Sequence, residues 1–362
     1  MIGNKCYYVL GVLLLCACYD SKPSDSMAFD KVVYIDSFPK SYRLEKGMRL
    51  NLQLVGVESL LVKDSMLIVS TSDKNGYWSF WKLPNYEDLG KYITGGKSDK
   101  EFVYSPRVAN QYFVKQANKW KARIYDFNTG NILSMNIYNT LECNKLVANI
   151  EKYELPRGLY SLICVDSSSF FCRQIDGDYT QLSRFMLTNE GKSVFENMEM
   201  LNQASIDAGY DFNILGTYCR YDSGTNRVVE ASMDLNHINL YSLDSDFRLT
   251  ICCGKQLDKI REVQHTERRR KKIVYNYLSS YTDFFAALYQ NDTQENIYSG
   301  KAKAQTIQFY DWNGKPLMEI VLDRRINSFD MDFSTGYLYT LSYEQDEMYV
   351  YDIGEILQDI KQ

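Results

Sequence analysis

A chain of 362 residues with 45% apolar content, only six prolines and a formal charge of −5 has material for a large core, which excludes a disordered polymer. Its charges are interspersed and offer no basic face for neutralising phosphates, so nucleic acid is not a partner to expect. Thirty tyrosines, 17 phenylalanines and four tryptophans favour strands over helices.

The N-terminus carries a short basic start at Lys5, an apolar run from Val9 to Leu15, and then Leu15-Cys16-Ala17-Cys18. That run is too short to span a bilayer and reads as a signal peptide over residues 1–17. The pattern Leu-x-Ala-Cys resembles the lipobox of bacterial lipoproteins, which implies cleavage ahead of Cys18 and a thioether-linked diacylglycerol on its sulfur. Acyl chains hold a protein to a membrane by about 0.8 kcal/mol per buried methylene. Residues 18–28 then form a short polar tether, so the expected address is the cell envelope, lipid-anchored, at the outer membrane. Six cysteines remain beyond Cys18, without the C-x-x-C spacing of a metal or redox site, and most fall in apolar runs where a thiol behaves as a small hydrophobe.

Taken in order, the chain predicts short strands at nearly even intervals. A β-branched stretch, Lys31 to Phe38, comes first. Four strands follow at Gly56–Val62, Met66–Thr71, Tyr77–Leu83 and Leu89–Thr94, and four more at Ser105–Ala109, Gln111–Gln116, Trp120–Phe127 and Ile132–Ile137. After a linking stretch from Asn139 to Pro156 the pattern resumes at Gly158–Val165, Ser169–Gln174, Gln181–Thr188 and Lys192–Met198. A fourth set occupies Asn213–Tyr221, Arg227–Met233, His237–Leu243 and Phe247–Cys253, and a fifth Ile273–Ser280, Asp283–Gln290, Ala304–Trp312 and Pro316–Asp323. The last two of these are split by Asn313-Gly314, a strong hairpin signal. Ile326–Asp332, Tyr337–Tyr343 and Glu347–Ile353 close the series one strand short. In the last of these, Met348 and Val350 alternate with Tyr349 and Tyr351, so both faces are apolar and each needs a covering sheet.

One signature recurs through these sets: an apolar residue, an aromatic, a small or polar residue, and another apolar residue before a turn. It appears as Phe80-Trp81-Lys82-Leu83, Ile124-Tyr125-Asp126-Phe127, Leu240-Tyr241-Ser242-Leu243, Phe309-Tyr310-Asp311-Trp312 and Val350-Tyr351-Asp352-Ile353, with a degraded copy at Phe185-Met186-Leu187. Six copies at roughly 40–70-residue intervals match the length of a four-stranded propeller blade with insertions. The expected fold is therefore all-β, a six-bladed propeller over residues 29–353 with a tail at 354–362. An open ring would leave exposed edges, so an N-terminal strand should close it, and Lys31 to Phe38 is the candidate to pair beside Glu347 to Ile353.

A lipobox followed by six blades, with Gly95-Gly96, Glu101-Phe102 and Pro106 linking the first two, resembles the TolB-like six-bladed β-propeller lipoproteins of Bacteroidota. The linking motif is also similar to that of NHL-type propellers. The likeness covers nearly the whole chain after Cys18, and it implies a fold and an address without an activity.

Chemistry is sparse. Two histidines, His237 and His265, cannot build a multi-histidine zinc site, and H-E-x-x-H, G-x-S-x-G and P-loop patterns are lacking, so neither metal nor cofactor is expected. Thr71 to Trp78 is a near miss to the Asp-box turn of sialidases and reads more simply as a β-turn. Asp330 and Asp332 are candidate channel carboxylates for a carbohydrate-active hydrolase or lyase, though strand-end aspartates commonly cap turns. In the excursion from Gly254 to Lys272, Arg268, Arg269 and Arg270 form a basic cluster suited to an acidic partner. The reading favoured is a monomeric, non-catalytic, lipid-anchored propeller that recognises an envelope protein, peptide or glycan through loops at one mouth.

Overall fold

A computed structural model describes residues 24–360, so Cys18 and the expected signal segment lie outside the described residues. Three short strands come first, β1 (Val32–Ile35), β2 (Ser41–Arg43) and β3 (Met48–Leu50). Blade one is β4 (Val57–Lys63), β5 (Met66–Thr71), β6 (Trp78–Lys82) and β7 (Glu87–Tyr92). Blade two is β8 (Tyr112–Gln116), β9 (Lys119–Tyr125), β10 (Ile132–Asn136) and β11 (Ala148–Glu151), with helix α1 (Ile137–Cys143) before its last strand. Blade three is β12 (Ser161–Cys164), β13 (Phe170–Ile175), β14 (Leu182–Thr188) and β15 (Gly191–Ser193), followed by α2 (Glu196–Asn202). Blade four is β16 (Thr217–Asp222), β17 (Arg227–Ser232), β18 (His237–Ser242) and β19 (Arg248–Cys253), followed by α3 (Ile260–Gln264). Blade five is β20 (Lys272–Ser280), β21 (Phe284–Thr293), β22 (Thr306–Asp311) and β23 (Pro316–Val321), with α4 (Gln294–Tyr298) inside it. Blade six is β24 (Ser328–Asp332), β25 (Tyr337–Ser342) and β26 (Glu347–Asp352), and α5 (Gly354–Ile360) occupies the expected tail.

Within every blade the strands are antiparallel neighbours in chain order. First strands touch across blades, β24 with β4, β16 with β20 and β20 with β24, so they line a central channel. The core is correspondingly divided into six clusters, each filling one gap between consecutive blades. Leu60, Val62 and Val69 of blade one meet Tyr339, Leu341 and Val350 of blade six, while Phe309 and Ile320 of blade five meet Phe329 and Leu338 of blade six. Side-chain alternation makes this possible. Tyr310 packs toward blade four and Phe309 toward blade six; Met348 and Val350 face blade one, and Tyr351 faces blade five, as the sequence pattern requires. Each such fully buried side chain contributes about 1.5–3 kcal/mol relative to exposure.

The ring is closed by an N-terminal strand, but not by Lys31 to Phe38. β3 pairs antiparallel with β26, setting Arg49 opposite Tyr349, and so supplies the missing fourth strand of blade six. The Lys31 to Phe38 segment instead supplies β1, added in parallel to the outer strand of blade four with Tyr34 opposite Cys252, and the next strand, β2, adds in parallel to the outer strand of blade five. Residues 32–50 thus wrap three consecutive blades in turn.

Blade two departs from the expected register. Ser105 to Ala109 forms no strand, and a 3₁₀ turn at Val108–Asn110 packs on β4. Ala117 and Asn118, both left-handed, make a two-residue turn that joins β8 to β9, so Ile124-Tyr125 falls on the second strand of its blade. The fourth strand comes from the stretch read as a link, because Asn136 caps a helix by accepting from Asn139 N at 3.0 Å and so interrupts the sheet before Ala148. In blade three the last strand is likewise cut to Gly191–Ser193.

Among the described residues the cysteines are free thiols, with Cys143 exposed and Cys164, Cys172, Cys219, Cys252 and Cys253 buried. No helix among them is long and apolar enough to cross a membrane.

Candidate functional site

Because the chain runs outward through each blade, one mouth of the channel gathers the blade-to-blade links with the turns between second and third strands. The other gathers the remaining tight turns. The link mouth holds a cavity of about 370 Å³, lined by side chains from the links before blades two, four, five and six together with the β17–β18 and β25–β26 turns. Tyr218, Tyr277, Tyr298 and Tyr343 supply its aromatic surface, and Arg107, Arg268 and Arg325 its cations. Arg325 is committed to Glu344 at 3.0 Å. Among the described residues Arg107 and Arg268 form no ion pair.

Asp234, in the β17–β18 turn, is the unusual member. Only 5% of it is exposed, and its Oδ2 has no hydrogen-bond partner. Burial, reinforced by Asp211 and opposed by Lys271, pushes its carboxyl up to about 7. Tyr218, on β16, is held well above the ordinary tyrosine value by burial and by Tyr160 and Tyr343; Arg107 pulls the other way and Asp234 adds to the rise. One phenol therefore feels both the free guanidinium and the buried acid. Asp211 accepts from Asn213 N at 3.1 Å, capping the 3₁₀ turn at Phe212–Ile214.

Deeper in, a smaller cavity of about 180 Å³ contains Arg220, whose guanidinium lies 5.6 Å from the Tyr277 ring centre, and Asp330. Asp330 accepts from Val62 N at 2.7 Å, Tyr281 OH at 2.9 Å and Met331 N at 2.9 Å, so it ties blade six to blades one and five. Burial raises its pKa even so. Asp332 accepts from Ser334 N at 2.9 Å and Thr335 Oγ1 at 2.8 Å and closes the β24–β25 turn. Both aspartates line the cavity at the opposite mouth, Asp330 held by inter-blade bonds and Asp332 by its own turn. The opposite mouth opens into a cavity of about 600 Å³ near Trp120 and Phe333, where Asp64 is taken up by Lys115 at 2.9 Å and by Trp120 Nε1 at 2.9 Å.

Of the basic cluster expected to bind ligand, Arg268 reaches the link mouth, whereas Arg269 and Arg270 do not line it, and Arg270 stands 3.7 Å from Glu267 on an exposed 3₁₀ turn. The Asp-box near miss is a turn: Asp73 accepts from Asn75 N at 3.0 Å and pairs with Lys91 at 3.2 Å. His237 is buried against Met27 O at 3.0 Å, and burial lowers its pKa to about 4; His265 sits at the surface beside Tyr210 OH at 3.0 Å. Among the described residues no cluster of His, Cys, Asp and Glu has the makings of a metal site. Arg107, Tyr218 and Arg325 share one sequence signal, a polar side chain within a few residues of the start of a blade's first strand, whereas Asp234, Tyr298 and Tyr343 lie between second and third strands and do not carry it.

The sheet order and the six inter-blade cores define the chain as a six-bladed β-propeller. No protein-family model matches it, and no curated protein does. Among solved structures it is similar to Raptor of Chaetomium thermophilum, at 13% identity and a TM-score of 0.47, over 83% of this chain and 28% of that one. The chain thus spans less than a third of the Raptor chain, and a likeness of this size carries no functional argument.

Proposed function

We propose that this is a lipid-anchored, non-catalytic binding propeller of the TolB-like lipoprotein kind, which recognises a protein, peptide or glycan of the cell envelope through the link mouth. One observation carries the reading: tyrosines and arginines from separate blades and links converge on one concavity where Arg107 and Arg268 are uncommitted. The hydrolase or lyase alternative needs two positioned carboxyl groups. Asp330 is held by three hydrogen bonds and Asp332 by its turn, so both carboxylates read as candidates for that pair are committed to the fold.

The anchor rests on Cys18 and its preceding residues, and the chain is fastened soon after. Ser24 N bonds Gln203 O at 3.3 Å, and Asp25 O accepts from Ile260 N at 2.6 Å, both partners lying in links of the same mouth. An anchored Cys18 therefore keeps that mouth within a few residues' reach of the bilayer.

The test is affinity capture of the full chain from its native envelope, alongside Arg107→Ala/Tyr343→Ala and Cys18→Ala variants. A partner retained by the wild type and lost from the mouth variant supports the reading; equal recovery with both overturns it. Incorporation of an alkyne-tagged fatty acid into the wild type but not Cys18→Ala supports the anchor, and labelling of neither refutes it.

A further inference from the structure

A buried carboxyl without a hydrogen-bond partner is expensive to keep, and removing the group would stabilise most cores. Asp234 keeps Oδ2 unsatisfied in the wall of a cavity open to ligand. Tyr218 of β16, Asp211 of the preceding link and Lys271 at the start of blade five act on it, and the cavity is further lined by Arg107, by Glu58 of β4, by Arg268 and by the Arg325–Glu344 pair. Asp211 repels a second negative charge, and Lys271 forms no ion pair with Asp234 among the described residues. A neutral hydroxyl ligand would leave such an acid protonated. A ligand cation would instead share its charge, with the tyrosine faces of Tyr218, Tyr277 and Tyr343 adding cation–π contact. The free guanidiniums of Arg107 and Arg268 call for the opposite charge in the same ligand, and carboxylate is the planar anion a guanidinium fits best.

We propose that the link-mouth cavity receives the end of a short peptide or amino acid, its ammonium group on Asp234 and its carboxylate on Arg107 and Arg268. The proposal rests on the link mouth being the binding site and names its ligand class. A cavity of about 370 Å³ is of the size that takes a dipeptide. Seating an ammonium there drives the Asp234 proton off, so binding is linked to pH. Below the free-state value of about 7 the affinity rises up to about tenfold per pH unit, and it falls again above about 8 as the α-amino group deprotonates.

The experiment is calorimetric titration of the full chain in detergent with Ala-Ala, N-acetyl-Ala-Ala and Ala-Ala amide between pH 5 and 9. We expect Ala-Ala to bind, N-acetylation to weaken it by about 30-fold or more, and Asp234→Asn to weaken it similarly while abolishing the acid limb of the pH profile. Arg107→Ala should weaken Ala-Ala but not its amide. The melting temperature of Asp234→Asn, equal to or above that of the wild type, shows that folding is intact. Absence of Ala-Ala binding, equal affinity for the N-acetyl form, or an acid limb that survives in Asp234→Asn overturns the proposal. Equal binding of acetylated and free dipeptide would leave the mouth as the binding site and remove only the ammonium assignment.

Discussion

Glu230, on β17, offers the sharpest test of how blades three and four are joined. It is wholly buried and accepts from Arg184 Nε at 2.7 Å, Arg184 Nη2 at 2.9 Å, Arg173 Nη1 at 3.3 Å, Thr217 Oγ1 at 2.6 Å and Tyr241 OH at 2.7 Å. Both arginines come from blade three and are themselves buried. Burial pushes the carboxyl up, but Arg184 and Arg173 outweigh it and hold the folded-state pKa well below the ordinary 4.5. Glu230→Gln keeps the volume and removes the charge, stranding two guanidiniums; breaking a buried pair in this way costs about 3–5 kcal/mol. At about 2 °C per kcal/mol for a chain of this length, the melting temperature should fall by roughly 6–10 °C in differential scanning calorimetry. The sign with pH follows from the depressed pKa: the wild type holds the full contribution above about 4.5 and loses it as pH falls further, so the gap between the two proteins narrows in acid. Replacing all three charged groups by apolar ones, Arg173→Met/Arg184→Met/Glu230→Leu, should recover much of the loss. A Glu230→Gln protein that melts within 2 °C of the wild type at neutral pH would refute the account.

Further outcomes follow from features already described. With Cys143 replaced by serine, Arg49→Cys/Tyr349→Cys should oxidise to a crosslink visible as a mobility shift, whereas Tyr34→Cys/Tyr349→Cys should not; the reverse result would restore the first segment as the closing strand. Burial lowers His237 to about 4, so the unfolded chain takes up a proton below about 6.5 that the folded one refuses. Stability should therefore decline from pH 6.5 toward 4 by about 3 kcal/mol, and His237→Gln should flatten that limb in thermal melts. Of the six cysteines in the described residues, native alkylation followed by peptide mapping should mark Cys143 alone. Burial pushes Cys164, Cys172, Cys219 and Cys252 up to about 12, and labelling of any of these without denaturant would contradict the packing.

The blade architecture was legible because a doubly buried strand must be apolar on both faces, and few other folds ask this of so many short strands. Tyr310 and Phe309 declare the arrangement by themselves, one for each neighbouring blade. What stayed hidden was decided by pairings distant in sequence. Nothing local to Met48-Arg49-Leu50 marks it as the partner of Met348 to Val350, and its three residues are weaker strand formers than the Val-Val-Tyr-Ile that joins blade four. Blade two slipped because Asn136 can equally continue a strand or cap a helix, and only the packing of α1 resolves the choice. The site was harder still. Asp234 sits between Met233 and Leu235 in an unremarkable turn, and its freedom from partners is set by links and strands distant from it in sequence. The run of arginines stands out by its density and its place in a long link between blades, and a single member, Arg268, reaches the cavity.

The joint between β3 and β26 has a cost during synthesis. A chain halted before Glu347 has already made Leu60, Val62, Leu67 and Val69 of the first blade, but it lacks the Met348 and Val350 that complete their cover and leaves β3 without its partner. Such a fragment exposes an apolar sheet face beside an orphaned edge, the combination most prone to self-association. The last strand made is thus the one that seals the seam where the circle began.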